Sequence, residues 1–226
     1  MNKITIIIFG EPGSGKTTQA KLLVDHFNLI HFDTGRFLES ILFDPQRQNE
    51  TRIQEEKKLF SSGKLNTPSF VVSEIKNKIL KIYKSGFGII FSGSPRTLYE
   101  AQKEIPLIEK YSGKENIFFI ELKISEKEAL KRNNQRLICK FCGYTLLKQY
   151  FSIENIKNCP VCGGIFYKRV LDNPEIIKIR FKEYIERTYP IFDFLKKRGF
   201  TVHKIDARPA PYKISQKIIK VIESKK

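Results

Sequence analysis

Residues Ile4 to Phe9 read ITIIIF, an almost unbroken apolar run rich in β-branched side chains. Such a run suits a strand covered on both faces, as in a parallel sheet flanked by helices. Phe87 to Phe91, Asn116 to Leu122 and Phe200 to Asp206 read as further strands. Between them, apolar positions recur at helical spacing over Pro68 to Lys84, Leu98 to Tyr111, Glu126 to Arg136, Pro174 to Lys197 and Tyr212 to Ser224. The alternation predicts an α/β fold with a central parallel sheet.

Two segments interrupt that alternation. Thr34 to Lys84 is mostly helical and lies between the second strand, which ends at Asp33, and the third. Leu137 to Val170 carries glycines and four cysteines but no long helical period, so it reads as an inserted subdomain. There is no internal repeat and no low-complexity stretch.

Composition narrows the picture only a little. With 226 residues, 41% hydrophobic and 29% charged, the chain can bury one large core with small insertions. No apolar run reaches the length of a bilayer span. The N-terminus passes straight from its apolar run into a glycine loop, without a small-residue cleavage site. It reads as a strand and not a signal peptide, and a cytoplasmic location is expected. The net charge of +17 fits a polyanionic partner: nucleic acid, a membrane surface or phosphorylated ligands. It equally fits solvated lysine faces, because the lysines are spread along the whole chain. Charge alone therefore selects no function.

Chemistry enters at Gly10-Glu11-Pro12-Gly13-Ser14-Gly15-Lys16-Thr17, which matches G-x-x-x-x-G-K-[ST] between a strand and a helix. Glycines here let backbone N–H groups converge on phosphate oxygens at a helix N-terminus. Lys16 can reach the outer phosphates, and Thr17 can ligate Mg²⁺. A second signature is Cys139-x2-Cys142 followed by Cys159-x2-Cys162. Four thiolates complete a tetrahedral ion and leave no open position, so a structural zinc is expected. Disulfides are disfavoured in a cytosolic chain, and structural iron is the lesser alternative.

Taken in order, these residues resemble the adenylate kinase family in its long bacterial form with a zinc-binding lid. The resemblance runs from Ile4 to about Ile219. It rests on the phosphate loop with Thr18-Gln19-Ala20 after it, Asp33-Thr34-Gly35, Ser92 to Thr97 (SGSPRT), Arg132 with Arg136, the cysteine knuckles, then Arg169, Asp172 and Arg180. It implies a single nucleoside monophosphate kinase domain over residues 1–226, with a three-layer P-loop fold. A helical insertion over 34–65 would bind the monophosphate, and a lid over 137–170 would close on ATP. The implied reaction is reversible phosphoryl transfer from ATP·Mg²⁺ to AMP. The implied state is a monomer, with no obligate nucleic-acid partner and no membrane.

The resemblance also implies site residues. ATP would meet Gly10, Pro12, Gly13, Ser14, Gly15, Lys16, Thr17, Thr18, Arg132 and Arg136. The monophosphate would meet Thr34, Gly35, Arg36, Glu39, Lys64, Leu65, Asn66, Gly93, Arg96, Glu100, Arg169 and Arg180. Lys16, Arg96, Arg132, Arg136, Arg169 and Arg180 would carry catalysis, since phosphoryl transfer needs positioning and charge stabilisation above all. Arg132 and Arg136, four apart, are expected on one face of a helix leading into the lid.

Several positions depart from the family pattern. Arg36 and then Glu39 stand where the family has Asp and then Arg, and Arg36 is expected to take over the phosphate contact. Ser92 replaces an Asp that faces Mg²⁺, and Asp33 is a candidate to compensate. Glu100 replaces a Gln that reads adenine. A carboxylate only accepts hydrogen bonds, so guanine, which offers two adjacent donors, is an alternative acceptor base. Gln102 or backbone groups could read adenine instead. His26, His31 and His203 read as packing or surface residues. Two further classes remain open. One is a nucleic-acid-binding protein with aromatic residues on its ribbon (Phe141, Tyr144, Tyr150, Phe151, Phe166, Tyr167). The other is a degenerate kinase that binds nucleotide but turns over poorly.

Overall fold

A computed structural model describes residues 3–147 and 156–225. In chain order, β1 (Thr5–Gly10), α1 (Lys16–Phe27) and β2 (Leu29–Phe32) precede a helical excursion of α2 (Thr34–Leu42), α3 (Thr51–Ser61) and α4 (Pro68–Lys84). The chain returns through β3 (Gly88–Ser92), α5 (Leu98–Ser112), β4 (Ile117–Lys123) and α6 (Glu126–Gln135). The short strands β5 (Arg136–Cys139), β6 (Thr145–Leu147) and β7 (Phe166–Tyr167) follow, then α7 (Pro174–Glu183), α8 (Pro190–Lys197), β8 (Val202–Asp206) and α9 (Pro211–Glu223).

Five of these strands form one parallel sheet in the order β2-β3-β1-β4-β8. The unbroken apolar run of β1 is explained by burial on both faces. Ile7 and Phe9 point into one core cluster, with Ile75 and Ile79 of α4, Ile105 and Ile108 of α5, and Leu195 of α8. Ile4, Ile6 and Ile8 point into the other, with Leu23 of α1 and Ile214, Ile218 and Ile222 of α9. Each fully buried isoleucine contributes about 1.5–3 kcal/mol. The one polar residue of the run, Thr5, is matched by Tyr83 Oη and Ser112 Oγ, each at 2.7 Å.

Strand β1 lies between strands reached by opposite crossovers, so the loops leaving β1, β2 and β3 open at one edge of the sheet. In open α/β sheets that carboxyl edge is where ligands bind. A second, antiparallel sheet, β6-β5-β7, forms the inserted subdomain. Residues 148–155 of that insertion, including Tyr150 and Phe151, lie outside the described residues.

One expected helix is broken. Pro174 to Lys197 divides into α7, a π-helical turn over Tyr184–Thr188, and α8. Pro190 is the cause: it has no N–H to donate and its ring crowds the carbonyl one turn back. Tyr189 N therefore reaches Tyr184 O at 3.2 Å, a widened turn.

Candidate active site

The phosphate loop links β1 to α1, and Gly10, Pro12, Gly13, Gly15, Lys16, Thr17 and Thr18 line a cavity at the carboxyl edge of the sheet. Ser14 is buried behind the loop and does not line it. Glu11 anchors the loop from below, accepting from Lys123 Nζ at 2.7 Å and from Ile124 N at 3.4 Å. Lys16 Nζ donates to the carbonyl oxygens of Gly10 and Glu11 at 2.8 and 3.0 Å. Burial lowers the Lys16 pKa to about 7, and the neighbouring Arg96 and Arg180 push it the same way. The loop is thus charged against its surroundings and suited to anions.

Besides Arg36 of α2, five arginines from five separate segments converge on the same cavity: Arg96, Arg132, Arg136, Arg169 and Arg180. Arg96 folds back so that Nε donates to Gly93 O at 2.6 Å. A Cβ at Gly93 would lie 2.7 Å from Arg96 Nη2, and its φ of 116° is closed to other residues, so only glycine allows this pose. On α6, Arg132 is held by Glu128 Oε1 at 2.7 Å and by Arg208 O at 3.2 Å. Arg136 departs from expectation. α6 ends at Gln135, and Arg136 is extended (φ −74°, ψ 131°) as the first residue of β5, paired opposite Leu147. The ladder to β6 draws it out of the helix, and its guanidinium forks onto the buried Asp172, with Nε donating to Oδ2 at 2.9 Å and Nη2 to Oδ1. Arg132 and Arg136 still meet at the cavity, but from a helix and a strand. Arg169 Nη2 donates to Glu39 Oε2 at 3.0 Å. Arg180, on α7, donates from Nη1 to Leu171 O at 3.4 Å. Burial, with Arg96, Arg136 and Arg169 close by, pushes the Arg180 pKa down. Burial lowers that of Arg96 too, against the pull of Glu100 and Asp33.

The wall expected to hold the monophosphate divides in two. Gly35, Arg36, Lys64, Leu65, Gly93 and Arg96 line the cavity; Thr34, Glu39, Asn66 and Glu100 do not. Glu100 is buried, accepting from Arg96 N at 2.7 Å and from Thr97 Oγ1 at 2.9 Å, while Thr97 Oγ1 accepts from Glu100 N at 3.3 Å. Thr97 thus caps α5, and Glu100 reaches back past the cap to Arg96 N, the residue before it. Burial raises the Glu100 pKa against these hydrogen bonds. Asn66 is also buried; its Nδ2 donates to Glu56 O and Glu56 Oε2, both at 2.9 Å. Neither side chain faces the cavity, which is where the expectation of base contacts had put them.

Sequence reasoning passed over Phe60, Asn133, Thr145, Leu171, Tyr184 and Thr188, all of which line the cavity. Only Asn133 carries a signal, one position after Arg132 on α6. The others depend on which distant elements meet. His31 is more than a packing residue, because its Nε2 lies 2.7 Å from Ser92 Oγ.

The inserted sheet brings Cys139, Cys142, Cys159 and Cys162 together with all sulfurs within 4.8 Å of one another. Cys139 and Cys162 are 3.5 Å apart and Cys142 and Cys159 3.6 Å. A disulfide requires about 2.05 Å. A tetrahedral zinc with bonds of about 2.3 Å sets its sulfurs about 3.8 Å apart, so the donor set fits such an ion. Gly143 closes the first knuckle at φ 65°, and a Cβ there would fall 2.6 Å from Arg36 Nη1. Its carbonyl accepts from Lys21 Nζ at 3.1 Å. The knuckle therefore rests on α1 and α2 over the cavity mouth.

Comparison with known proteins agrees with this geometry. The adenylate kinase family model matches residues 8–200. An adenylate kinase of Borreliella burgdorferi is 33% identical over 97% of this chain and 99% of its own length. One from Elusimicrobium minutum is 31% identical over 98% and 99%, and one from Thermosipho africanus 31% identical over 88% and 92%. The matched span takes in the phosphate loop, the cavity arginines and both cysteine knuckles, and this chain belongs to the adenylate kinase family of nucleoside monophosphate kinases.

Proposed function

We propose that this chain transfers a phosphoryl group reversibly between ATP and AMP, giving two ADP. The observation that carries the reading is the meeting of a phosphate loop with arginines from five segments in one cavity. No nucleophile or histidine base is needed. An oxygen of the AMP phosphate forms the new bond to the γ-phosphorus while the bond from that phosphorus to the β,γ-bridging oxygen breaks, and ADP leaves. Charge spreads over the equatorial oxygens in passing. Lys16 and the loop amides hold the β- and γ-phosphates. Arg96 and Arg180 hold the phosphates from the core, and Arg132, Arg136 and Arg169 complete the ring from the lid side. Asp172 and Glu128 fix two of these forks in place before substrate arrives, so little reorganisation remains for the transition state. The lid excludes water, which favours transfer over hydrolysis.

Thr17 would hold the Mg²⁺ that comes with ATP, which would neutralise charge on the β- and γ-phosphates. Cys139, Cys142, Cys159 and Cys162 would hold a structural zinc, which would fold a lid whose strands are too short to bury a core of their own. The protein acts as a monomer in the cytoplasm. Among the described residues no helix is long and apolar enough to cross a membrane. Because Glu100 turns into its own helix cap, AMP is favoured over guanine acceptors.

A coupled assay with ATP·Mg²⁺ and a panel of AMP, GMP, CMP, UMP and their deoxy forms tests the reading. Turnover should be fastest with AMP. GMP rates equal to or above those with AMP, or no turnover with any acceptor, would overturn it.

A further inference from the structure

In a phosphate-loop enzyme, Mg²⁺ is held by the loop Ser/Thr and an acid on a neighbouring strand. Here the strand beside β1 ends in Ser92, which is neutral and engaged with His31 Nε2 at 2.7 Å. The negative charge stands one strand further out. Asp33 follows β2, and its Oδ2 accepts from Thr17 Oγ1 at 3.2 Å. Its Oδ1 accepts from Arg36 N at 3.1 Å, capping α2. Asp33 is also the one carboxylate among the described residues that line the cavity. Glu39, Glu100, Glu128 and Asp172 all turn away to hold other groups. A lone carboxylate aimed into a phosphate site repels the ligand unless a cation stands between them.

We propose that Asp33 is the acid that orients the hydration shell of Mg²⁺ in this chain, replacing an acid at Ser92. The shell, which Mg²⁺ gives up reluctantly, donates to Oδ2 of Asp33. The other oxygen of the same carboxylate holds the first turn of α2. The metal is thereby tied to the helix that borders the acceptor site, through one side chain. This rests on the ATP·Mg²⁺ chemistry proposed above.

The test is calorimetric titration of the whole protein with ATP, with and without Mg²⁺. The quantity read is the gain in ATP affinity that Mg²⁺ confers. Asp33→Asn keeps the helix cap, since Asn caps as well as Asp, and removes the charge. It should cut the Mg²⁺-dependent gain by at least about ten- to a hundredfold, the usual cost of losing an outer-sphere partner, while metal-free ATP binds as tightly as before or more tightly, because the repelling charge is gone. Adding Ser92→Asp to that variant should restore most of the gain. Mn²⁺ in place of Mg²⁺, followed by electron paramagnetic resonance, should show a changed metal environment in Asp33→Asn and recovery in the double variant. An unchanged Mg²⁺-dependent gain, or an equal loss of metal-free affinity, would overturn the assignment while leaving the kinase reading intact. Failure of the unaltered protein to bind ATP at all would defeat both.

Discussion

The phosphate cradle and the acceptor wall face each other across one cavity, yet they are built on different principles. The cradle is local. Five residues, 11 to 15, link β1 to α1, and their pattern is read from a single short stretch of chain. The wall is assembled from α2, the segment after α3, the loop after β3 and the lid return, with partners far apart in sequence. In the cradle, all the loop residues expected to contact ligand line the cavity except Ser14. In the wall, Glu39, Asn66 and Glu100 hold protein instead of lining the cavity. Short-range pattern settles backbone chemistry. Which way a polar side chain turns is settled by what folds up beside it.

The cradle offers the largest effect. Lys16→Met should lower kcat/KM by about 10²–10³-fold, the range for removing one preorganised charge from a transition state. The fold should survive, because the ammonium is held at a cost. Folding lowers the Lys16 pKa from 10.5 to about 7. The unfolded chain thus carries the extra proton between those values, and nucleotide-free stability should rise with pH through that window. Thermal melts from pH 7 to 10 should show the rise in the unaltered protein and less of it in Lys16→Met. Phosphate binding should reverse the shift, so calorimetry at pH 8 in buffers of different ionisation enthalpy should detect proton uptake.

The lid comes next. Cys159→Ser, or removal of the metal by chelation, should unfold the β5–β7 sheet and displace Arg136 and Arg169. Small displacements of positioning groups cost about a hundredfold, so activity should fall by that order. Helical circular dichroism of the core should persist, while proteolysis appears within 137–170. Metal analysis of the purified protein reports which ion is present. Core unfolding in step with the lid would erase the distinction between the two regions.

The fold was legible because its pattern is repetitive. β1, β3 and β4 announce themselves as buried apolar runs, whereas β8 (VHKID) is only partly buried at the sheet edge, and α4 begins and ends at its predicted residues, Pro68 and Lys84. The π-turn before Pro190 was hidden by a helical period that continues through it. Arg136 was read as helical because α6 and β5 adjoin without a break, and only the ladder to β6 separates them. The cysteine cluster was legible because two C-x2-C knuckles carry a fixed spacing. The wall was not, because replacing one acceptor group by another leaves no trace of its new partner.

A moderate effect should come from the bridge between wall and lid. Glu39 of α2 holds Arg169 of the lid return across 3.0 Å, with both side chains partly exposed. Screened pairs of this kind are worth up to about 1 kcal/mol. Glu39→Gln should therefore lower kcat/KM by about two- to fivefold, and raised ionic strength should narrow the difference. In an Arg169→Ala background the same change should do nothing further. Additive losses would mean that Glu39 acts elsewhere in the wall.

The smallest effect is the most diagnostic. If Glu100 read the acceptor base, Glu100→Gln would swing the preference between AMP and GMP by a large factor. Sites that hydrogen-bond a ligand reject its mismatch by far more than sites that only pack against it. At N3 of α5 Glu100 accepts from Arg96 N and Thr97 Oγ1, and Gln can keep both contacts, its amide oxygen accepting from Arg96 N and its amide N–H donating to Thr97 Oγ1. The AMP-to-GMP ratio of kcat/KM should then stay within about twofold. Glu100→Ala should cost about 1 kcal/mol of stability through the weakened cap. It would do so without altering base choice, because the Arg96 loop, and not the base, is what the carboxylate holds. A shift in preference without loss of stability would return Glu100 to the ligand and make this part of the wall as direct as the cradle.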